Sequence, residues 1–308
     1  MIKFGLLFLA SVFFANATQA QGRICSQIAR GLRVGSLNVE NLLNPARTRG
    51  ENLIRPTGYN QAVVADKLER ASMTLGDVTA DGGRPDIMIA VEIHDEDVAS
   101  QLAHALGFNH MKMTRSRDER GMDVAIFWND SNLVRGATYI DELIFRNPKF
   151  QIDPTRNVLL IEFDVAGQKF VTLANHWPSL MNPPEMRAEA ASETRQVMAF
   201  QLSRAAQMGY EVTVAAGGDF NTIDTDLLPD GSTPFKDYLL NPRPGQTGPI
   251  FVDAQLELSA QAQAKMPPAS YYYKGDKNGQ GAGWNRLDRF AIGRTPNSLI
   301  IPRRDGFK

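Results

Sequence analysis

The chain has 308 residues, of which 43% are apolar and 22% charged. That balance excludes a disordered or low-complexity protein and suits one large folded domain or two small ones. A formal net charge of −1 argues against a tight, sequence-blind nucleic-acid binder, which needs a basic excess to neutralise phosphates, but it leaves room for a local basic face. Cys25 is the only cysteine, so no internal disulfide can form and stability must come from the core.

The first twenty residues read as a secretory signal peptide. Lys3 is a short positive start, Phe4 to Ala15 is almost purely apolar, and Ala15-Asn16-Ala17 and Thr18-Gln19-Ala20 are small-x-small cleavage candidates. The stretch is too short for a stable membrane span. Cys25 follows Arg23-Ile24 rather than a small-residue lipidation motif. The expected organisation is a leader over 1–20, an N-terminal extension over 21–30 and a single domain over 31–308, with a periplasmic or secreted location and no stable membrane insertion. Cleavage removes only Lys3 among the charged residues and leaves −2.

Strand-like and helix-like segments then alternate. Leu32 to Leu37 reads as a strand, and Gln61 to Leu75 as a helix with Val64, Leu68, Ala71 and Leu75 on one face. The apolar run Ile87 to Val91 predicts a buried strand ending at Glu92, and Asp95 to Leu106 a helix closed by Gly107. Met122 to Trp128 and Asn157 to Val165 are strands. The turn Ala166-Gly167-Gln168 joins the latter in a hairpin to Lys169 to Ala174, which runs into Asn175-His176. Pro183 and Pro184 open a long helix, Glu185 to Met208, stopped by Gly209. Val212 to Ala216 is the next strand. Residues 229–249 predict a surface loop around a short helix near Phe235 to Leu240, Gly275 to Gly283 a flexible stretch, and Leu287 to Ile292 a last strand. Strands outnumber helices, which suggests two mixed sheets packed face to face and flanked by helices.

Chemistry collects at strand ends. Gly217-Gly218-Asp219-Phe220-Asn221 follows a buried strand, and Asp219 and Asn221, two apart, share a face of an extended backbone. Asn38 after Leu37 is a turn former or an oxygen donor to a cation. Glu92 after Val91 is solvated at a rim or cation-bound. His176 is a proton donor, a phosphoryl contact or a structural histidine. Four such ends in one domain suggest a metal-assisted hydrolase. Asp288, entering an apolar strand, is a salt-bridged rim residue or orients a neighbouring group. His94, His104 and His110 lack a strand-end setting and read as structural. Arg115, Arg117 and Arg120 precede a strand and are candidates to line a phosphate cleft. Arg187 and Arg195 on the long helix read as solvated, and Tyr271, Tyr272 and Tyr273 as strand packing.

In chain order the motifs Leu37-Asn38-Val39-Glu40-Asn41-Leu42, Pro85-Asp86-Ile87 through Glu92, Arg120-Gly121-Met122-Asp123-Val124-Ala125, Asn175-His176-Trp177-Pro178-Ser179, Gly218-Asp219-Phe220-Asn221 and Leu287-Asp288 resemble those of the endonuclease/exonuclease/phosphatase superfamily. The resemblance, to an exported bacterial-type member, implies a DNase-I-like fold: an α/β, four-layer α-β-β-α sandwich with two mixed β-sheets. It implies a metal-dependent phosphoric ester hydrolase, most simply a phosphodiesterase or endonuclease, using Mg²⁺ or else Mn²⁺ or Ca²⁺. Glu92 would bind the cation with help from Asn38. Asp219 would position or deprotonate the attacking water, Asn221 would hold a phosphoryl oxygen, and His176 would contact the scissile phosphate. Asp288 would orient a further histidine. The partner expected is a phosphodiester, nucleic acid included, and the chain is expected to be a monomer. The family closes with a Ser-Asp-His strand that has no counterpart here, since no histidine follows His176. The alternative reading is therefore a catalytically impaired or phosphate-binding member of the same fold.

Overall fold

The computed structural model describes residues 8–14, 31–47, 57–78, 84–152, 155–223, 225–243, 245–254, 271–273, 283–285, 287–296 and 300–302. Cys25 and most of the glycine-rich stretch 275–283 lie outside them. The elements in chain order are strands β1 (Phe8–Phe14) and β2 (Leu32–Leu42), helix α1 (Gln61–Val78), β3 (Ile87–Ile93), α2 (Glu96–Ala105), β4 (His110–Met113), β5 (Asp123–Trp128) and β6 (Val134–Leu143). A short α3 (Lys149–Ile152), β7 (Val158–Val165), β8 (Gln168–His176), the long α4 (Pro184–Met208), β9 (Val212–Asp219) and a π-helical turn (Pro234–Leu240) follow. The last are β10 (Val252–Asp253), β11 (Tyr271–Tyr273), β12 (Gly283–Asn285), β13 (Asp288–Arg294) and β14 (Ile300–Pro302).

Two six-stranded sheets form, in the orders β14-β1-β2-β3-β5-β4 and β10-β13-β9-β8-β7-β6, with β11 and β12 as a separate pair. Both are mixed. In the first, β2 and β3 are parallel; in the second, β8 and β9 are parallel; their neighbours run antiparallel. Three apolar clusters separate four layers. One, with Val34, Ile89, Ile126, Ile161, Phe163 and Phe290, fills the space between the sheets. Another packs Met198, Ala190 and Phe220 with Val171, Val214 and Leu173 on the outer face of the second sheet. The third joins Val64, Ala71 and Leu102 to Leu37, Ala90 and Phe127 on the outer face of the first. Each sheet thus buries both faces, which explains why β3, β5 and β9 read as continuous apolar runs rather than alternating ones. The expected four-layer sandwich with two mixed sheets is the one observed.

The departures have local causes. β6 is an edge strand, mostly half-buried or exposed, with register shifts around Gly136; it offers no alternation to read. β1 lies between β14 and β2, within the stretch expected to be a leader. β2 runs on to Leu42 through a bulge after Asn38, where Glu40 and Asn41 adopt positive φ of 49° and 59°.

Helix α4 carries the clearest correction. Arg187 and Arg195 are not solvated. Arg187 is only 1% exposed; its Nε and Nη2 donate to Asp226 at 2.7 and 2.6 Å, and its Nη1 donates to the carbonyls of Ser179 and Asn182. Arg195 donates to the carbonyls of Leu239 and Leu240 and lies over the Phe251 ring. Both serve as ties between the helix and the loops beyond the strands, because uncapped loop carbonyls need donors once buried.

Candidate active site

The two parallel pairs place four strand ends on one rim. Parallel neighbours end at the same edge, so the register Asn38↔Val91 brings Asn38 beside Glu92, and His176↔Asp219 sets those two side by side. The sheets pack face to face, and the pairs meet.

Glu92 has φ of 66°, a left-handed backbone that a non-glycine residue adopts only where its surroundings enforce it. The enforcing contacts are visible. Asn38 Nδ2 donates to Glu92 Oε1 at 3.0 Å, and the Asn41 backbone N–H donates to Oε2 at 2.8 Å. The bulge that aims Asn41 is itself held by Lys67, whose buried ammonium donates to the carbonyls of Val39 and Glu40 at 3.1 and 2.8 Å.

Asp219 ends β9 at a turn that only glycine permits. Gly218 has φ of +124°, and a Cβ there would stand 2.1 Å from the Asn175 carbonyl oxygen. The turn therefore lies flush against β8. Asp219 Oδ1 accepts the Asn221 backbone N–H at 2.7 Å, and Oδ2 accepts Asn38 Nδ2 at 3.0 Å. Burial pushes the Asp219 carboxyl up to about 6; the nearby Glu92 charge adds to the rise, and the hydrogen bonds from Asn221 and Asn38 oppose it.

His176 is buried, with Nε2 3.9 Å from Glu92 Oε1. Burial first, then the charges of Arg156 and Arg120, hold its imidazole well below its usual value, so it stands neutral. Among the described residues its buried Nδ1 has no hydrogen-bond partner. One ligand atom from each of Glu92, His176 and Asp219 lies within 4.8 Å of the others. Two carboxylates held this close repel unless a cation or a proton sits with them, and the donor set of two carboxylates and an imidazole fits a divalent cation.

The residues expected at the site behave unequally. Glu92, His176 and Asp219 converge. Asn38 is with them but shows its NH₂ to both carboxylates while its Oδ1 accepts the Glu40 N–H at 2.8 Å. An amide NH₂ is a donor and cannot ligate a cation, so in this arrangement Asn38 bridges the two carboxylates rather than binding metal. Asn221 has φ of 49° and spends one amide proton on the Trp177 carbonyl at 3.0 Å. Asp288 pairs in register with Asp219, and its Oδ1 accepts from Ser36 Oγ at 3.4 Å; it lies one strand from the triad. Among the other histidines, His94 Nδ1 accepts the Asn44 N–H, His110 stacks on Trp128, and His104 is exposed on α2; none joins the cluster.

Sequence reasoning missed Arg156. It is buried, donates from Nη1 to Asp118 Oδ2 at 3.2 Å and from Nη2 to the Trp177 carbonyl at 3.1 Å, and among the described residues its Nε has no partner. Its charge reaches both His176 and Asp219. A lone arginine ahead of a strand carries no signal, because its partner Asp118 is 38 residues away. Asp118 also accepts the backbone N–H groups of Arg120 and Met122. The loop that carries Arg120 is thereby pinned beside the start of β5, where Asp123 pairs with Ile93 next to Glu92. Arg120 itself is half-buried, and among the described residues its guanidinium has no partner.

The endonuclease/exonuclease/phosphatase family matches residues 33–225. The chain belongs to this family. Its members hydrolyse phosphoester bonds and typically depend on a divalent metal. The fold is similar to that of truncated TDP2 from Caenorhabditis elegans, at 15% identity over 80% of each chain with a TM-score of 0.52. It is similar also to the human Nocturnin catalytic domain with bound sulfate anion, at 17% identity over 82% of this chain and 80% of that one, with a TM-score of 0.50. A family protein from Bacteroides thetaiotaomicron shares 14% identity over 85% and 82% of the two chains, with a TM-score of 0.51. Identities this low establish the DNase-I-like fold alone. No curated protein matches the sequence.

Proposed function

We propose that the chain is an exported, divalent-cation-dependent phosphodiesterase that cleaves phosphodiester bonds by attack of water. The observation that carries this reading is the convergence of Glu92, His176 and Asp219 within 4.8 Å, beside the charges of Arg156 and Arg120.

Glu92, His176 and Asp219 are the residues that would hold the cation, which when bound supplies positive charge to the phosphoryl and leaving oxygens. The chain's own groups do the rest. Asp219, whose proton affinity is raised by burial to about 6 in the absence of a cation, sits where its free oxygen lone pair would orient the attacking water or accept its proton. Asn221, with one amide proton on Trp177, has its other available for a phosphoryl oxygen. His176 enters as a neutral imidazole, so it contributes a lone pair or one N–H rather than a full charge. Arg120 faces the anionic substrate, and Arg156 is the fixed positive charge behind it. Mg²⁺ and Mn²⁺ both suit a carboxylate-rich set, and the imidazole favours Mn²⁺.

A second reading rests on His176 Nδ1, which is buried and has no partner among the described residues. Catalytic and metal-bound histidines are usually oriented through the second ring nitrogen; an impaired member would bind the cation and turn nothing over.

Export rests on the leader-like N-terminus. Its apolar core coincides with β1, so cleavage after residue 20 opens the edge of β2 that β1 covers. No helix among the described residues is long and apolar enough to cross a membrane.

One experiment tests the proposal. Expressed with its own N-terminus, the chain recovered from the exported fraction is expected to begin near Gln21 by mass. It should hydrolyse bis(p-nitrophenyl) phosphate with Mg²⁺ or Mn²⁺ and stop with chelator. Asp219 must be ionised to act, so the rate should fall at low pH as Asp219 takes up its proton, with the rising limb at or below about 6. Because a cation favours the ionised carboxylate, more cation should shift the rising limb to lower pH. Cation binding without turnover selects the second reading, and retention of residues 1–20 removes export.

A further inference from the structure

Helix α1 packs Val64, Ala71 and Leu75 into the apolar layer on the outer face of the first sheet. Residues three and four apart share a helix face, so Lys67 falls on that buried face, and only 8% of it is exposed. A lysine is rarely buried without partners for its ammonium. Here the partners are the carbonyls of Val39 and Glu40, at 3.1 and 2.8 Å, in the bulge that interrupts β2. Burial lowers the proton affinity of the ammonium, and the charges of Glu40 and then Glu92 oppose that.

The Glu40 carbonyl and the Asn41 N–H are the two ends of one trans peptide group, and they point in opposite directions. Lys67 holds the oxygen at 2.8 Å, and Glu92 Oε2 accepts from the N–H at 2.8 Å. One peptide thus stands between a buried ammonium and a carboxylate of the site. A positive charge on the carbonyl also polarises the N–H and strengthens its bond to the carboxylate. This peptide needs holding. Glu40 and Asn41 both have left-handed φ, and Asn41 is exposed, so no core packing of its side chain fixes it. A second grip comes from Tyr59, just before α1. Its hydroxyl accepts the Leu43 N–H at 2.9 Å and donates to the Asn41 carbonyl at 3.4 Å.

We propose that Lys67, assisted by Tyr59, is a positioning residue for the cation: it fixes the 40–41 peptide whose N–H sets the Glu92 carboxylate. The inference rests on the reading of Glu92, His176 and Asp219 as cation ligands and deepens it. A whole peptide separates Lys67 from the carboxylate, so it acts through Glu92 and not on the substrate. Without the ammonium the peptide is free to flip. A flip takes the N–H away from Oε2 and leaves the Glu92 carboxylate held by Asn38 alone. The charge of Lys67 by itself works the other way, since a positive group near a cation repels it. Geometry and charge therefore predict opposite signs when the ammonium is removed.

Mn²⁺ is titrated calorimetrically, above neutral pH, into the full chain as wild type, Lys67→Met and Tyr59→Phe. Cleavage of bis(p-nitrophenyl) phosphate is followed against Mn²⁺ concentration in the same proteins. Methionine keeps the length of the side chain and suits the apolar layer. Tyr59→Phe keeps the ring and removes only the hydroxyl, so it serves where Lys67→Met fails to fold. The expected result is Mn²⁺ affinity weakened about tenfold by Lys67→Met and several-fold by Tyr59→Phe. The half-saturating Mn²⁺ concentration should rise by the same factors, with turnover at saturating Mn²⁺ close to wild type. A residue that only supported the fold would lower the melt and leave the affinity of the folded chain unmoved. Wild-type or tighter Mn²⁺ affinity in Lys67→Met overturns the proposal, as does wild-type affinity in Tyr59→Phe where Lys67→Met does not fold. A loss of turnover that saturating Mn²⁺ does not restore also overturns it. Absent Mn²⁺ binding in the wild type is a different failure: it removes the cation reading itself, and the role of Lys67 with it.

Discussion

Asp219→Asn is expected to lower turnover of a phosphodiester by about 10³-fold or more while moving the melting temperature of the cation-free chain by no more than about 4 °C. The two effects part because Asp219 does two jobs. Chemically it is the carboxylate with the raised proton affinity, and an amide can neither take a proton from water nor offer charge to a cation. Structurally it accepts from the Asn221 N–H and from Asn38 Nδ2. Asparagine keeps one acceptor and places a second NH₂ near that of Asn38, which costs a hydrogen bond. Against that, it removes the repulsion from Glu92 that helps raise the Asp219 proton affinity. Loss and relief offset. Added Mn²⁺ should raise the melting temperature of the wild type and leave the variant unmoved. Activity within tenfold of wild type in the variant would exclude Asp219 as the base.

Arg187→Ala should destabilise the fold by about 3–5 kcal/mol, because it strands the Asp226 carboxylate in the interior. The guanidinium makes two bonds to Asp226 and two to the carbonyls of Ser179 and Asn182. Those partners belong to the segments that leave His176 and Asn221. The variant should therefore also lose activity at temperatures where it remains folded, through misplacement of His176 and Asn221. Thermal unfolding followed by circular dichroism measures the first effect. The double replacement Arg187→Met with Asp226→Leu separates charge from packing: it should recover much of the stability, because no buried charge is left unpaired. An unchanged melt in Arg187→Ala would mean that the pair contributes nothing net.

The parts of this site legible in the sequence are those that local rules govern. A buried apolar run that ends in Glu92, and a glycine turn that ends in Asp219, announce strand ends facing solvent or a ligand, and both converge. The two mixed sheets follow from strands that outnumber helices. What sequence could not show depends on contacts made across the chain. Asn38 looked like an oxygen donor, and only the bulge after it, with Oδ1 claimed by the Glu40 N–H, turns its NH₂ inward. Arg187 and Arg195 looked solvated because charged residues usually are; loop carbonyls and Asp226 supply the partners that burial requires. Arg156 and Asp118 find each other only when β5 and β7 are in place. β6 gave no pattern because an edge strand with two register shifts obeys no alternation.

The claim on which the rest depends is that Glu92, His176 and Asp219 grip one divalent cation. Calorimetric titration of Mn²⁺ into the metal-free chain, wild type against Glu92→Gln, tests it most directly. One site per chain in the wild type, weakened at least about tenfold in Glu92→Gln, is the predicted result. Equal binding in the two proteins, or none in the wild type, would contradict it.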